Sequence, residues 1–186
     1  MDMMNLSRLP RRPQAGYGFA NAWVLGMALV TIGVSSPVGV VSAQAPNPCA
    51  LLTSDEIESF AANASVGDGV ASSLPSFDYV TCRYAWGIGT RRFTLDVIVY
   101  DATRRFPSMS PDQIKQQLLA SVRPGTAESV ISDVGEAAVF RSDSPLYATA
   151  TAFLKGRILG VHVDGLAARE KKDQAIALLK SAASRL

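Results

Sequence analysis

The chain has 186 residues, 48% hydrophobic and 18% charged, with two cysteines, one histidine and a formal charge of +2. The first 43 residues hold three arginines and one aspartate, so of 18 basic and 16 acidic residues the remainder keeps 15 of each and is neutral. A neutral chain of about 140 residues can bury a real core. It lacks the cationic surface on which nucleic-acid affinity depends, so no nucleic-acid partner is expected.

The first 43 residues follow the order of a secretory signal. Arg8, Arg11 and Arg12 precede an apolar run of 13 residues, Ala22–Val34, which Ser35-Ser36-Pro37 breaks. That run is shorter than the roughly 20 residues that span a bilayer. Val41-Ser42-Ala43 supplies small residues at a cleavage position, and a cut after Ala43 avoids a proline following the cleaved bond. Residues 1–43 are therefore expected to be a signal peptide, 44–48 a short tether and 49–186 a single α+β domain. An uncleaved membrane anchor is the alternative. Pro46-Asn47-Pro48 before Cys49 lacks the small and aliphatic residues that lipoprotein processing needs.

Thr53-Ser54-Asp55-Glu56 forms a capping box, which predicts a first helix from about Ser54 to Ala62. Asp55, Glu56 and Glu58 crowd its start, where the macrodipole favours negative charge. Residues 63–77, rich in Gly, Ser and Asn, read as a loop, and Asn63-Ala64-Ser65 matches a glycosylation sequon. Period-two alternation follows. Val80, Cys82, Tyr84 and Trp86 share one strand face, and Gly87-Ile88-Gly89-Thr90 makes a turn. Phe93, Leu95, Val97 and Val99 share a face of the next strand, with Arg92, Thr94 and Asp96 opposite. Ser110-Pro111-Asp112-Gln113 opens a second helix whose stripe is Ile114, Leu118 and Val122. Residues 134–140 lead into a third strand. Residues 147–155 and 157–164 read as strands four and five, turning near Lys155-Gly156. Ala148, Ala150, Ala152 and Leu154 offer a small-residue face for a helix. An amphipathic helix closes the chain over 168–186. The expected fold is α+β: an antiparallel sheet of about five strands, helices largely on one face, in the order α-β-β-α-β-β-β-α.

Two cysteines in an exported chain are most simply paired. A bridge from Cys49 to Cys82 would close a loop of about 34 residues and contribute roughly 3–4 kcal/mol. Two buried free thiols are the alternative. Two Cys and one His make an incomplete metal site, and no cofactor motif is present.

His162 is the only histidine, so any triad or histidine–metal chemistry must use it. Asp164 shares its strand face and could orient it as a general base, although no G-x-S-x-G elbow supplies a nucleophile. Tyr79, Tyr84, Trp86, Tyr100 and Tyr147 are the aromatics expected near the sheet. Such a patch could complete a core or bind a lipid, sugar or peptide. No residue is expected to be catalytic, and Tyr84 and Trp86 are kept with His162 and Asp164 as functional candidates.

Pro48-Cys49-Ala50-Leu51-Leu52-Thr53-Ser54-Asp55-Glu56, Cys82 in the first strand and Val134-Gly135-Glu136-Ala137-Ala138 together resemble a family of small exported bacterial domains of unknown function. Many members of that family are lipoproteins. The resemblance implies the Cys49–Cys82 bridge and a cell-envelope location, and it carries no catalytic residue. The expected function is a non-enzymatic binding or envelope-associated module, periplasmic or at the cell surface, with an envelope ligand or protein as partner. An envelope hydrolase using His162 and Asp164, and a membrane-tethered interaction protein, are the alternatives.

Overall fold

The structure, a computed structural model, describes residues 46–62, 64–74, 79–165 and 167–186. The signal segment, the cut after Ala43, residues 44–45 of the tether and Asn63 of the sequon lie outside the described residues.

After a 3-10 turn at Pro48–Ala50, helix α1 covers Ser54–Phe60. Strands β1 (Val70–Leu74), β2 (Tyr79–Ile88) and β3 (Arg91–Asp101) follow. Helix α2 is the single turn Ala102–Arg105 and α3 covers Pro111–Ala120. Then come β4 (Ser129–Val130), β5 (Ala137–Ser144), β6 (Tyr147–Leu154) and β7 (Arg157–Asp164). A 3-10 turn at Ala168–Lys171 leads into α4, Lys172–Ser184. The strands form one antiparallel sheet in the order β1-β2-β3-β7-β6-β5-β4.

The α+β class and the antiparallel sheet stand, but three finer expectations are corrected. The sheet has seven strands among the described residues, not about five. Strand β1 arises inside the stretch expected to be a loop. Its residues have weak strand preference, and the ladder to β2, from Val70↔Arg83 to Leu74↔Tyr79, overrides it. Strand β4 is a two-residue pairing with β5. The element order also gains α2, a turn with no apolar periodicity. It exists because the Asp101 carboxylate accepts from the amides of Thr103 and Arg104. Finally, the helices lie on both faces of the sheet. The 3.6-residue stripe of α3 covers Ala137, Phe153 and Ile158, which point away from the face beneath α4.

On the first face, α1 and α4 close a large core. Ala148, Ala150 and Ala152 of β6 are fully buried, and their small side chains admit α4, which lies over β6 and β7 with Ala175, Leu179 and Ala182 also at 0% exposure. Phe140, Leu159 and Val161 fill the space between. Burying each large side chain is worth about 1.5–3 kcal/mol. Trp86 stacks on Phe93 at 5.7 Å and meets Phe60 edge-on at 5.9 Å.

The Cys49–Cys82 disulfide, with Cα atoms 5.1 Å apart, ties the first turn to β2 on this face. Glu56 does the same for α1 and α4. It completes the capping box with Thr53, accepts from Arg185 at 2.8 and 3.0 Å, and accepts from the Ser181 hydroxyl. Chiefly through Arg185, its carboxyl is held at about 2, well below the usual carboxylate range. The acidic start of α1 is thus a cap and a helix–helix tie.

At the β6–β7 hairpin, Lys155 and Gly156 take φ of +50 and +74, the pair of left-handed residues that a tight two-residue turn demands.

Candidate functional site

Among the described residues, the second face of the sheet is covered only at one end. There α2 and α3 seal Ala102, Ile114, Ala137, Phe153 and Ile158 into a small core. Beside that edge lies a groove of about 1170 Å³ whose floor is the sheet itself. This volume lies just above the usual range of ligand sites, about 300–1,000 Å³.

Strand register builds the groove as two parallel bands. The apolar band follows the helices: Tyr79 pairs with Tyr100, and Tyr100 with Ile158, while Phe106 and Leu118 lean in half-buried from above. Burial raises the Tyr100 phenol above its ordinary value, opposed by Arg105. The polar band lies four residues along each strand. Arg83 faces Asp96, Asp96 faces His162, His162 faces Thr149 and Thr149 faces Arg141, one residue from each of β2, β3, β7, β6 and β5. Arg83 grips Asp96 with two hydrogen bonds of 2.7 and 2.8 Å, the bidentate geometry that makes such pairs strong.

His162 sits at the centre of this band, half-buried. Its Nδ1 lies 3.2 Å from the Tyr147 hydroxyl, and the two rings meet edge-on at 6.0 Å. Its Nε2 leans over Gly160, where an added Cβ would stand 3.0 Å from it. The ring therefore lies along the floor between the two bands. Desolvation lowers its pKa below the ordinary 6.5, partly opposed by Asp96. Where Tyr147 donates to Nδ1, the proton sits on Nε2 and faces the groove.

The sequence candidates divide between the two faces. Tyr84 and Trp86 turn inward with Cys82, and the Tyr84 hydroxyl donates to the Cys49 carbonyl at 3.3 Å. His162 and Asp164 lie on the groove face, but the lateral neighbours of Asp164 are Thr94 and Tyr147, while those of His162 are Asp96 and Thr149. Tyr79, Tyr100 and Tyr147 line the groove. Sequence reasoning missed Arg83, Thr149, Gly160 and Arg141. A two-residue turn at Gly89-Thr90 would have set Arg83 opposite Asp96, whereas the pairing of β3 with β7 has no local signal.

Among the described residues, no group of three or more His, Cys, Asp or Glu is placed to hold a metal ion, and no helix is long and apolar enough to cross a membrane. The arrangement offers an imidazole, several hydroxyls, paired charges and an aromatic wall over a floor of sheet. Comparison with protein-family models, with curated proteins and with solved structures finds no match.

Proposed function

We propose that this chain is an exported, non-enzymatic binding module of the cell envelope, and that its ligand occupies the groove on the open face of the sheet. The observation that carries this reading is the groove with its polar band, a site assembled from five strands. Export is supported by the signal-like order of residues 1–43 and by a disulfide, which persists in oxidising compartments. The resemblance of the Cys49 and Gly135 segments to small exported domains points the same way.

The sole histidine supplies the test. Its imidazole resonance is unambiguous, so a screen of small molecules by NMR should find compounds that shift the His162 signal. A broad screen in which nothing moves it would remove the binding reading. Export is checked separately: fractionation should place a chain beginning at Gln44 in the envelope fraction. An intact N-terminus in the cytoplasm would overturn export, and an intact N-terminus in the membrane fraction would support the tethered alternative. The hydrolase alternative rests on His162 and Asp164 on one strand face, with the Tyr147 hydroxyl 3.2 Å from the imidazole Nδ1. It requires that His162→Ala abolish any hydrolytic activity detected.

A further inference from the structure

The shape and charge of the groove narrow its ligand. The lining runs from Val70 on β1 to Arg141 on β5, five interstrand gaps or about 24 Å at the usual strand spacing. Along the strands, from the Tyr79–Tyr100 row to the row of Ala85 and Tyr147, it is six residues or about 20 Å. The somewhat longer axis crosses the strands. The two bands run parallel to it, so a ligand meets an apolar, partly aromatic wall along one side and hydrogen-bonding groups along the other. An acyl chain with a polar head divides its polarity end from end and does not match this pattern. A chain of sugar rings does, because each ring has apolar C–H faces and a hydroxyl-bearing edge.

Charge points the same way. Arg83, Arg105 and Arg141 line the groove with Asp68 and Asp96. Asp164 lies one pair beyond on the same face, within electrostatic reach of Arg83. The lining itself carries three arginines and two aspartates, Asp164 adds a third anion just outside it, and Glu128 beside Arg141 is matched by Arg123. An ionic ligand would shed its hydration against at most one unit of net charge in the lining. An uncharged one finds Thr81, Thr149 and Thr151 as hydroxyl partners, the ion-paired Arg83 and Asp96 as fixed donor and acceptor, and the His162 ring lying against Gly160.

From this geometry we infer that the groove binds an uncharged linear oligosaccharide several rings long, seated across the strands between the Tyr79–Tyr100–Phe106 wall and the Asp96–His162–Thr149 row. The inference rests on the groove being a ligand site and names the ligand's class.

The probes are maltohexaose and cellohexaose, with glucose, hexagalacturonate and dodecanoate as controls, titrated into the disulfide-bonded protein while the His162 resonance is followed. At least one neutral hexamer should shift the signal saturably. Glucose should not, and hexagalacturonate should bind about tenfold more weakly or not at all. Thr149→Val keeps the β-branched shape and removes a hydroxyl, and should weaken the hexamer by about tenfold. Gly160→Val pushes against the His162 ring and displaces it from the floor, and should abolish binding; should it fail to fold, Thr149→Val still decides. Equal binding of charged and neutral hexamers, or hexamer binding indifferent to Thr149→Val, overturns the assignment. A shift that grows with protein concentration alone assigns the groove to a second copy and also overturns it. A shift with dodecanoate but no sugar removes the oligosaccharide and leaves the binding module standing. Silence from every probe and from the broad screen removes both.

Discussion

The two faces of the sheet are made by the same strands and do opposite work. On the face beneath α1 and α4, alternate residues are aliphatic, aromatic or alanine, and nearly all are sealed from water. On the other, threonine, tyrosine, histidine and charged residues stand among apolar ones such as Ile98 and Ile158, and among the described residues the helices cover one end only. Period-two alternation forces this separation, because each residue's neighbours belong to the opposite face. The covered face therefore carries the stability, and the open face is free to carry recognition.

Substitutions should expose the asymmetry. Leu159→Ala on the covered face should cost about 2–5 kcal/mol. Thr151→Ala, on the adjacent strand and opposite face, should stay within about 0.5 kcal/mol. Denaturant midpoints at constant slope measure both, and equal costs would break the contrast. Replacing Cys49 and Cys82 together with alanine removes the covalent tie on the covered face and should cost roughly 3–4 kcal/mol. Intact mass should show the native protein two hydrogens lighter than its reduced form, and two alkylatable thiols in the native protein would refute the bridge.

Gly135→Ala strikes where the chain enters β5. Gly135 has φ +57, and an added Cβ would lie 2.5 Å from the Phe153 carbonyl oxygen. A loss of about 2–3 kcal/mol is expected in thermal or chemical unfolding. Glu56→Gln loosens α1 from α4 and should cost about 1 kcal/mol at neutral pH. Because the Glu56 carboxyl is depressed from 4.5 to about 2, its stabilisation is present above about pH 4.5 and fades toward pH 2. The difference between wild type and Glu56→Gln should shrink over that window.

The smallest effect belongs to the open face. His162 titrates below 6.5 because of its burial, so the unfolded chain takes up a proton that the folded chain refuses. Stability should therefore decline slightly as pH falls from 6.5 to the folded midpoint and then level off. NMR titration of the single imidazole reads that midpoint directly, and a value at or above 6.5 would contradict the placement of the ring.

Much of the covered face was legible because it follows from local pattern. Phe93, Leu95, Val97 and Val99 alternate, the Thr53 and Ser110 boxes mark helix starts, and the alanines of β6 signal a close helix. Strand β1 was not legible, since Val70-Ala71-Ser72-Ser73 owes its extended form to β2 rather than to its own side chains. The groove was less legible still. His162 and Asp164 read as partners because they are two apart on one strand. Yet the lateral neighbour of His162 is Asp96, some sixty residues away, and only the β3–β7 pairing brings them together. Local propensity carries no information about which distant strands become neighbours.

That same pairing makes the groove a report on assembly. Arg83 and Asp96 come from the first half of the described residues, and Arg141, Thr149 and His162 from the second. Neither half holds a complete polar band, and the disulfide constrains only the first. Bringing β3 to β7 must overcome the closure entropy of the long intervening loop. A ligand in the groove would thus bind only chains whose halves have docked, and by mass action it would hold that seam closed.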